Sequence, residues 1–125
     1  MTSAERPLPS WLTVSTGPAP AVVDGRACRT RAAFFEEVAR ALRLPAYFGR
    51  NWDALTDSLR DTGAVALFVA HAEELLGDEP PEQFATLLAV LSDAAEGGLT
   101  VTLNTEPAHE ALMRERTAAA LGYGM

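Results

Sequence analysis

Three aspartates, Asp53, Asp57 and Asp61, recur at every fourth residue, and on a helix that spacing sets them along one face. Aligned carboxylates repel one another, and Asp57 and Asp61 lie towards the helix end where the backbone dipole also disfavours anions. Stability alone does not select this arrangement. Two chemistries can use it. Paired aspartates can hold a hard cation such as Mg²⁺ or act as general acid and base. Alternatively, fixed carboxylates can occupy the positions of an anionic ligand's phosphates on a basic partner and steer its approach. No second cluster of ligands and no set of substrate-binding cations accompanies the stripe in the sequence, which favours mimicry. Tyr47 and Phe48 stand just before it, and aromatic anchors beside fixed charge are the usual composition of an interface hot spot. Arg50 and Arg60 fall on the same side and can neutralise part of the charge.

The remaining candidates are few. His71 and His109 stand in no spacing with Cys, Ser or carboxylates that a nucleophilic or metal-binding motif requires, so both are read as structural or surface residues. Cys28, the single cysteine, is flanked by Arg26, Arg29 and Arg31. Cationic neighbours can lower a thiol pKa, but the plainer reading is a small semi-buried apolar side chain. No glycine-rich loop opens a helix as a phosphate cradle does. The expectation is a non-enzyme with no cofactor and no metal.

The elements that must carry these residues can be read from periodicity. Thr30 can cap a helix with Phe34, Val38, Ala41 and Leu42 on its apolar side, stopped by Pro45. Leu44–Arg50 has loop punctuation, Pro then Gly around two aromatics. Asn51 then caps a second helix, with Trp52, Leu55 and Leu59 facing the core opposite the aspartates. Ala64–Ala70 is a continuous apolar run, the pattern of a central parallel strand buried on both faces. Ala72–Gly77 is a candidate short helix. A longer helix opens at Pro80-Pro81, presents Phe84, Leu87, Leu88, Leu91 and Ala95 to the core, and leaves Asp93 off that stripe. Ala21-Val22-Val23 before Asp24-Gly25, and the alternating Leu99–Leu103, read as two more strands.

At the ends, residues 1–20 hold four prolines and form an arm with one possible edge strand at Trp11–Ser15. Residues 104–125 form an Ala-rich extension, read as helical with a weak stripe of Leu112, Met113 and Leu121. Residues 21–103 make the domain between them. Strands alternating with helices predict an α/β fold with a small three-stranded parallel sheet packed by helices.

Composition narrows the function further. Acids outnumber bases 17 to 10, for a net charge of −7, which argues against direct nucleic-acid binding and for a basic partner. No apolar run reaches the roughly 18–20 residues that cross a bilayer. Met1–Pro7 lacks a basic patch followed by an apolar segment, so the expected location is the cytoplasm.

The run Leu44-Pro45-Ala46-Tyr47-Phe48-Gly49-Arg50-Asn51-Trp52-Asp53-Ala54-Leu55-Thr56-Asp57-Ser58-Leu59 resembles the signature of the barstar family of intracellular inhibitors of secreted bacterial ribonucleases. The similarity extends from about Ala21 to Leu103. It implies a three-stranded parallel sheet packed by helices and an inhibitory surface of Tyr47, Asp53 and Asp57, with Asp57 entering the nuclease's phosphate-binding subsite. Asp93 aligns with a family glutamate that adds a contact. Thr56 stands where the family pattern has a tryptophan, and Phe48 replaces a second tyrosine, so the rim has changed. With Gly49, Asn51 and Asp61 these residues form the expected partner-binding set. The expected partner is a basic secreted or toxin-type ribonuclease, bound 1:1 by a protein that is monomeric when free. The alternative is an interaction module of the same fold binding another basic protein. Tyr47 and Trp11, read as exposed aromatics, can also support self-association.

Overall fold

A computed structural model describes residues 7–16 and 22–122. Met1–Arg6 and residues 17–20 of the arm, Ala21 of the strand expected next, and residues 123–125 of the C-terminal extension lie outside them. In chain order the elements are β1 (Leu12–Ser15), β2 (Val23–Asp24), α1 (Arg31–Ala41), α2 (Trp52–Thr62), β3 (Ala66–Ala70), α3 (Pro81–Ala95), β4 (Thr100–Asn104) and α4 (Glu110–Ala120). Short 3₁₀ turns cover Gly25–Ala27, Ala72–Glu74 and Pro107–His109.

The fold is mixed α/β, as the alternation of strands and helices predicts, but its parallel sheet has four strands, in the order β1-β4-β3-β2. The fourth is the possible edge strand of the arm, expected at Trp11–Ser15 and observed at Leu12–Ser15. Leu12 and Val14 alternate inward, and they stand in register with Val101 and Leu103 of β4. That burial, with the Val101 N–H donating to the Trp11 carbonyl at 2.8 Å, makes β1 an integral edge strand. Trp11 itself is half-buried against the core, so it is not the exposed aromatic the sequence suggested.

Register explains the core. Leu12, Val101 and Leu67 form one row across the sheet, and Val14, Leu103, Val69 and Val23 the next, all buried. The side chains between them, Thr13, Thr102 and Phe68, are exposed or half-buried. β3 is therefore central and parallel but, among the described residues, fully buried on one face only. An apolar run carries no alternation signal, so it could not report this.

The helices supply the other half of the same core through Phe34, Phe35 and Val38 of α1, Leu55 and Leu59 of α2, Phe84, Leu87, Leu88 and Leu91 of α3, and Met113 of α4. On α4 the inward side chains are Met113, Thr117 and Ala118, and Leu121 just after it is half-buried against the core, so of the stripe read from the sequence only Leu112, which is exposed, is corrected. Ala72–Gly77 is a single 3₁₀ turn followed by turns. Gly98, after α3, has φ +109°, and a Cβ there would lie 2.9 Å from that of Ala64. Only glycine suits both the backbone and the space.

Candidate functional site

Two N-terminal caps and one aromatic cluster place the loop and helix that carry the candidate residues. The Thr30 hydroxyl accepts from the Ala33 N–H at 3.1 Å at the start of α1, and the Asn51 side-chain oxygen accepts from the Ala54 N–H at 2.8 Å at the start of α2. The Asn51 side-chain amide also donates to the Gly49 carbonyl at 3.2 Å. A Cβ on Gly49 would approach that amide to 3.2 Å and Ala54 Cβ to 3.3 Å, so Gly49 leaves room for the cap. Gly49 and Asn51 therefore shape the site from within the loop.

Between the two helices, Phe35 packs edge-on against Trp52 with ring centroids 4.9 Å apart, and edge-on against Phe48 at 6.1 Å. Phe48 is only 5% exposed, so the expectation of an aromatic pair on the rim is corrected. Lacking a hydroxyl to keep wet, a phenylalanine at this position turns inward and anchors the loop. Its neighbour Tyr47 is 89% exposed.

Asp53, Asp57 and Asp61 all project from α2 into solvent, opposite buried Leu55 and Leu59. Asp53 lies in the first turn, where the helix dipole favours it, whereas Asp61 lies in the last turn, where it does not. Successive carboxylates step about 6 Å along the axis.

The arginines expected to neutralise this stripe are engaged elsewhere. Arg50 forms an ion pair with Glu36 of α1, and its guanidinium also donates to the Phe48 carbonyl at 2.9 Å. Arg60 reaches across to α3 and grips both oxygens of Asp93, at 3.1 and 3.3 Å. None of the three aspartates has a hydrogen bond or ion pair among the described residues. Other acids are tied down: Asp24 by Arg26, Glu37 by Arg40, Glu74 and Asp78 by Arg29, and Glu110 by Arg114. Among the described residues the Glu82, Glu96 and Glu115 side chains are also unpaired, but they are spread over the start of α3, the residue that ends it, and α4.

Thr56 is half-buried on α2, and its hydroxyl donates to the Trp52 carbonyl at 2.9 Å, so the side chain is turned to its own helix. Asp93 sits beside α2, but as the partner of Arg60. That bond and the inward Phe48 are the two features the sequence did not announce. The Trp52 indole N–H donates to Gln83 of α3 at 3.2 Å. With Arg60–Asp93 two turns further on, it holds α2 and α3 side by side, running in the same direction.

Elsewhere, burial pushes the Cys28 thiol up to about 12, with Glu37 and Asp24 adding to the effect. Its arginine neighbours Arg26 and Arg29 spend their charge on Asp24, Glu74 and Asp78. An activated thiol is therefore ruled out. His71 and His109 sit in the turns after β3 and β4, each 3.9 Å from a glutamate, Glu73 and Glu106 respectively. Among the described residues no three of His, Cys, Asp and Glu are grouped so as to hold a metal ion.

A family model described as Barstar (barnase inhibitor) matches residues 19–109. The chain belongs to the barstar family. The matched span takes in β2 through β4 and every candidate site residue from Tyr47 to Asp93, and leaves out β1 and all of α4. A comparison with curated proteins finds no match. Barstar is by description an inhibitor that binds an enzyme, so the family implies a protein–protein surface and a ribonuclease as the class of partner.

Proposed function

We propose that this protein inhibits a basic bacterial ribonuclease of the barnase type by covering its active site with the acidic face of α2. A ribonuclease must present cations to bind RNA, and Asp53, Asp57 and Asp61 offer carboxylates in the place of phosphates. The observation that carries the reading is that these three acids face solvent on one side of one helix without partners, while the nearby arginines are bound to other acids.

In this reading Asp57, at the middle of the stripe, is the central anchor in the phosphate-binding subsite. Asp53 sits on one side of it, and Tyr47 packs against the nuclease surface. Asp61 lies at the margin and acts mainly by long-range attraction. Inhibition of this kind needs neither turnover nor a cofactor. One inhibitor, monomeric when free, meets one nuclease in the cytoplasm and neutralises it before it harms its producer.

The test is to titrate the protein into a panel of small basic ribonucleases, barnase among them, while following RNA cleavage. Inhibition that is complete at one equivalent for at least one enzyme supports the proposal. A panel left fully active by folded protein contradicts it and favours a barstar-fold module for a different basic partner.

A further inference from the structure

Arg60 stands seven residues after Asp53 and three after Asp57, which places it on the same side of α2 as the acidic stripe, next to α3. It is a cation within a surface otherwise built from acids. Its guanidinium does not turn to Asp57 one turn back. It forks onto both carboxylate oxygens of Asp93, and both side chains remain well exposed, at 61% and 40%. The pair has two effects. It keeps Asp93 from offering a free carboxylate beside α2, and it leaves the side of the surface towards α3 neutral, so negative charge is concentrated on Asp53, Asp57 and Asp61 of α2.

We infer that Arg60 is a specificity-determining residue of the inhibitory surface. It selects nucleases whose positive cleft lies over α2 alone and disfavours those whose cations continue across the seam onto α3. The inference rests on the proposed inhibitory role of α2. Its physical content is the sign of a charge: a nuclease cation brought opposite α3 meets Arg60 together with Asp93 instead of an available carboxylate. Removing Arg60 takes away a cation and releases Asp93 in one step, and both changes strengthen attraction to a basic protein. Removing Asp93 instead leaves Arg60 unopposed at the interface.

Barnase is the probe. Association and dissociation rates are measured at low and high salt for the wild type, Arg60→Ala, Arg60→Lys and Asp93→Ala, with thermal unfolding to show that each is folded. At low salt Arg60→Ala is expected to bind about three- to ten-fold tighter, chiefly through faster association, and Asp93→Ala weaker by a similar factor. Both effects should shrink as salt rises. Arg60→Lys keeps the charge without the fork and is expected to bind no tighter than the wild type. Binding by Arg60→Ala where the wild type fails to bind would be the same result in stronger form.

A wild type that binds while Arg60→Ala is unchanged or weaker overturns the inference and leaves the inhibitory reading standing. So does a gain in Arg60→Lys equal to that in Arg60→Ala, because the charge would then not matter. Failure of every form to bind contradicts the inhibitory reading for barnase, and the inference falls with it.

Discussion

The Phe48 ring packs edge-on against Phe35 of α1, 6.1 Å between centroids, and the residue before it, Tyr47, is 89% exposed. One side chain anchors the loop and the other is presented by it. The two positions should therefore separate stability from binding. Tyr47→Ala removes a ring that touches little of its own protein, so unfolding should shift by less than about 0.5 kcal/mol while nuclease affinity falls. Phe48→Ala opens a cavity in the core and should cost about 3–5 kcal/mol of stability. Urea denaturation and nuclease titration of both variants check this. Equal destabilisation by the two would contradict the placement.

Asp57 and Asp61 differ by one helical turn, yet their substitutions should have unequal effects. Asp57→Ala should weaken nuclease binding by about 2–5 kcal/mol, mostly through faster dissociation, because it leaves a cation buried without a partner. Asp61→Ala, at the margin, should mainly slow association and lose its effect in high salt. Binding kinetics at two ionic strengths distinguish them, and two small, matching losses would remove the central role from Asp57.

Glu37 ties α1 to β2. Both its oxygens accept from Arg40, at 3.1 and 2.6 Å, and it also accepts from the Asp24 N–H at 3.2 Å. The Arg40 guanidinium foremost, with help from that N–H, holds its carboxyl below the usual value of 4.5. A carboxylate lowered on folding stabilises the protein fully above its unfolded-state pKa and loses that contribution as pH falls through the folded-state value. Wild type should therefore exceed Glu37→Gln in urea midpoint at pH 7, and the difference should narrow towards pH 3. A difference that does not change with pH would contradict this role.

Cys28 is fully buried, and burial raises its thiol to about 12. A thiol-reactive probe at pH 8 should modify it only as fast as the surrounding structure opens, and at once in denaturant. Rapid labelling of the native protein would contradict the burial.

Where residues obeyed a local rule, the fold could be read directly. Thr30 and Asn51 cap helices because a short polar side chain can reach the third amide beyond it, a relation confined to four residues. The position of Asp53, Asp57 and Asp61 opposite Leu55 and Leu59 follows from helical spacing alone. What escaped depended on partners distant in sequence. The possible edge strand at Trp11–Ser15 could not be assigned its place in the sheet, which it takes because β4 offers Val101 and Leu103 in register, some 90 residues on. Arg60 has Asp57 within reach on its own helix, and only the nearness of α3 shows that it takes Asp93 instead. Phe48 reads as an interface aromatic by composition, and only the packing of α1 against α2 turns it inward. The family resemblance pointed to the candidate surface, and all the candidate residues fall within residues 19–109. It could not indicate that Phe48 is buried or that Arg60 binds Asp93.

The central claim is that the α2 face and RNA compete for the same nuclease site. The measurement that tests it most directly is competition on barnase between this protein and a short, non-cleavable RNA analogue, read by fluorescence of the labelled analogue. Mutual exclusion is expected, with the analogue released in proportion to added protein and far less released by Asp57→Ala. A ternary complex, in which the analogue stays bound while this protein binds the nuclease, would contradict active-site blockade.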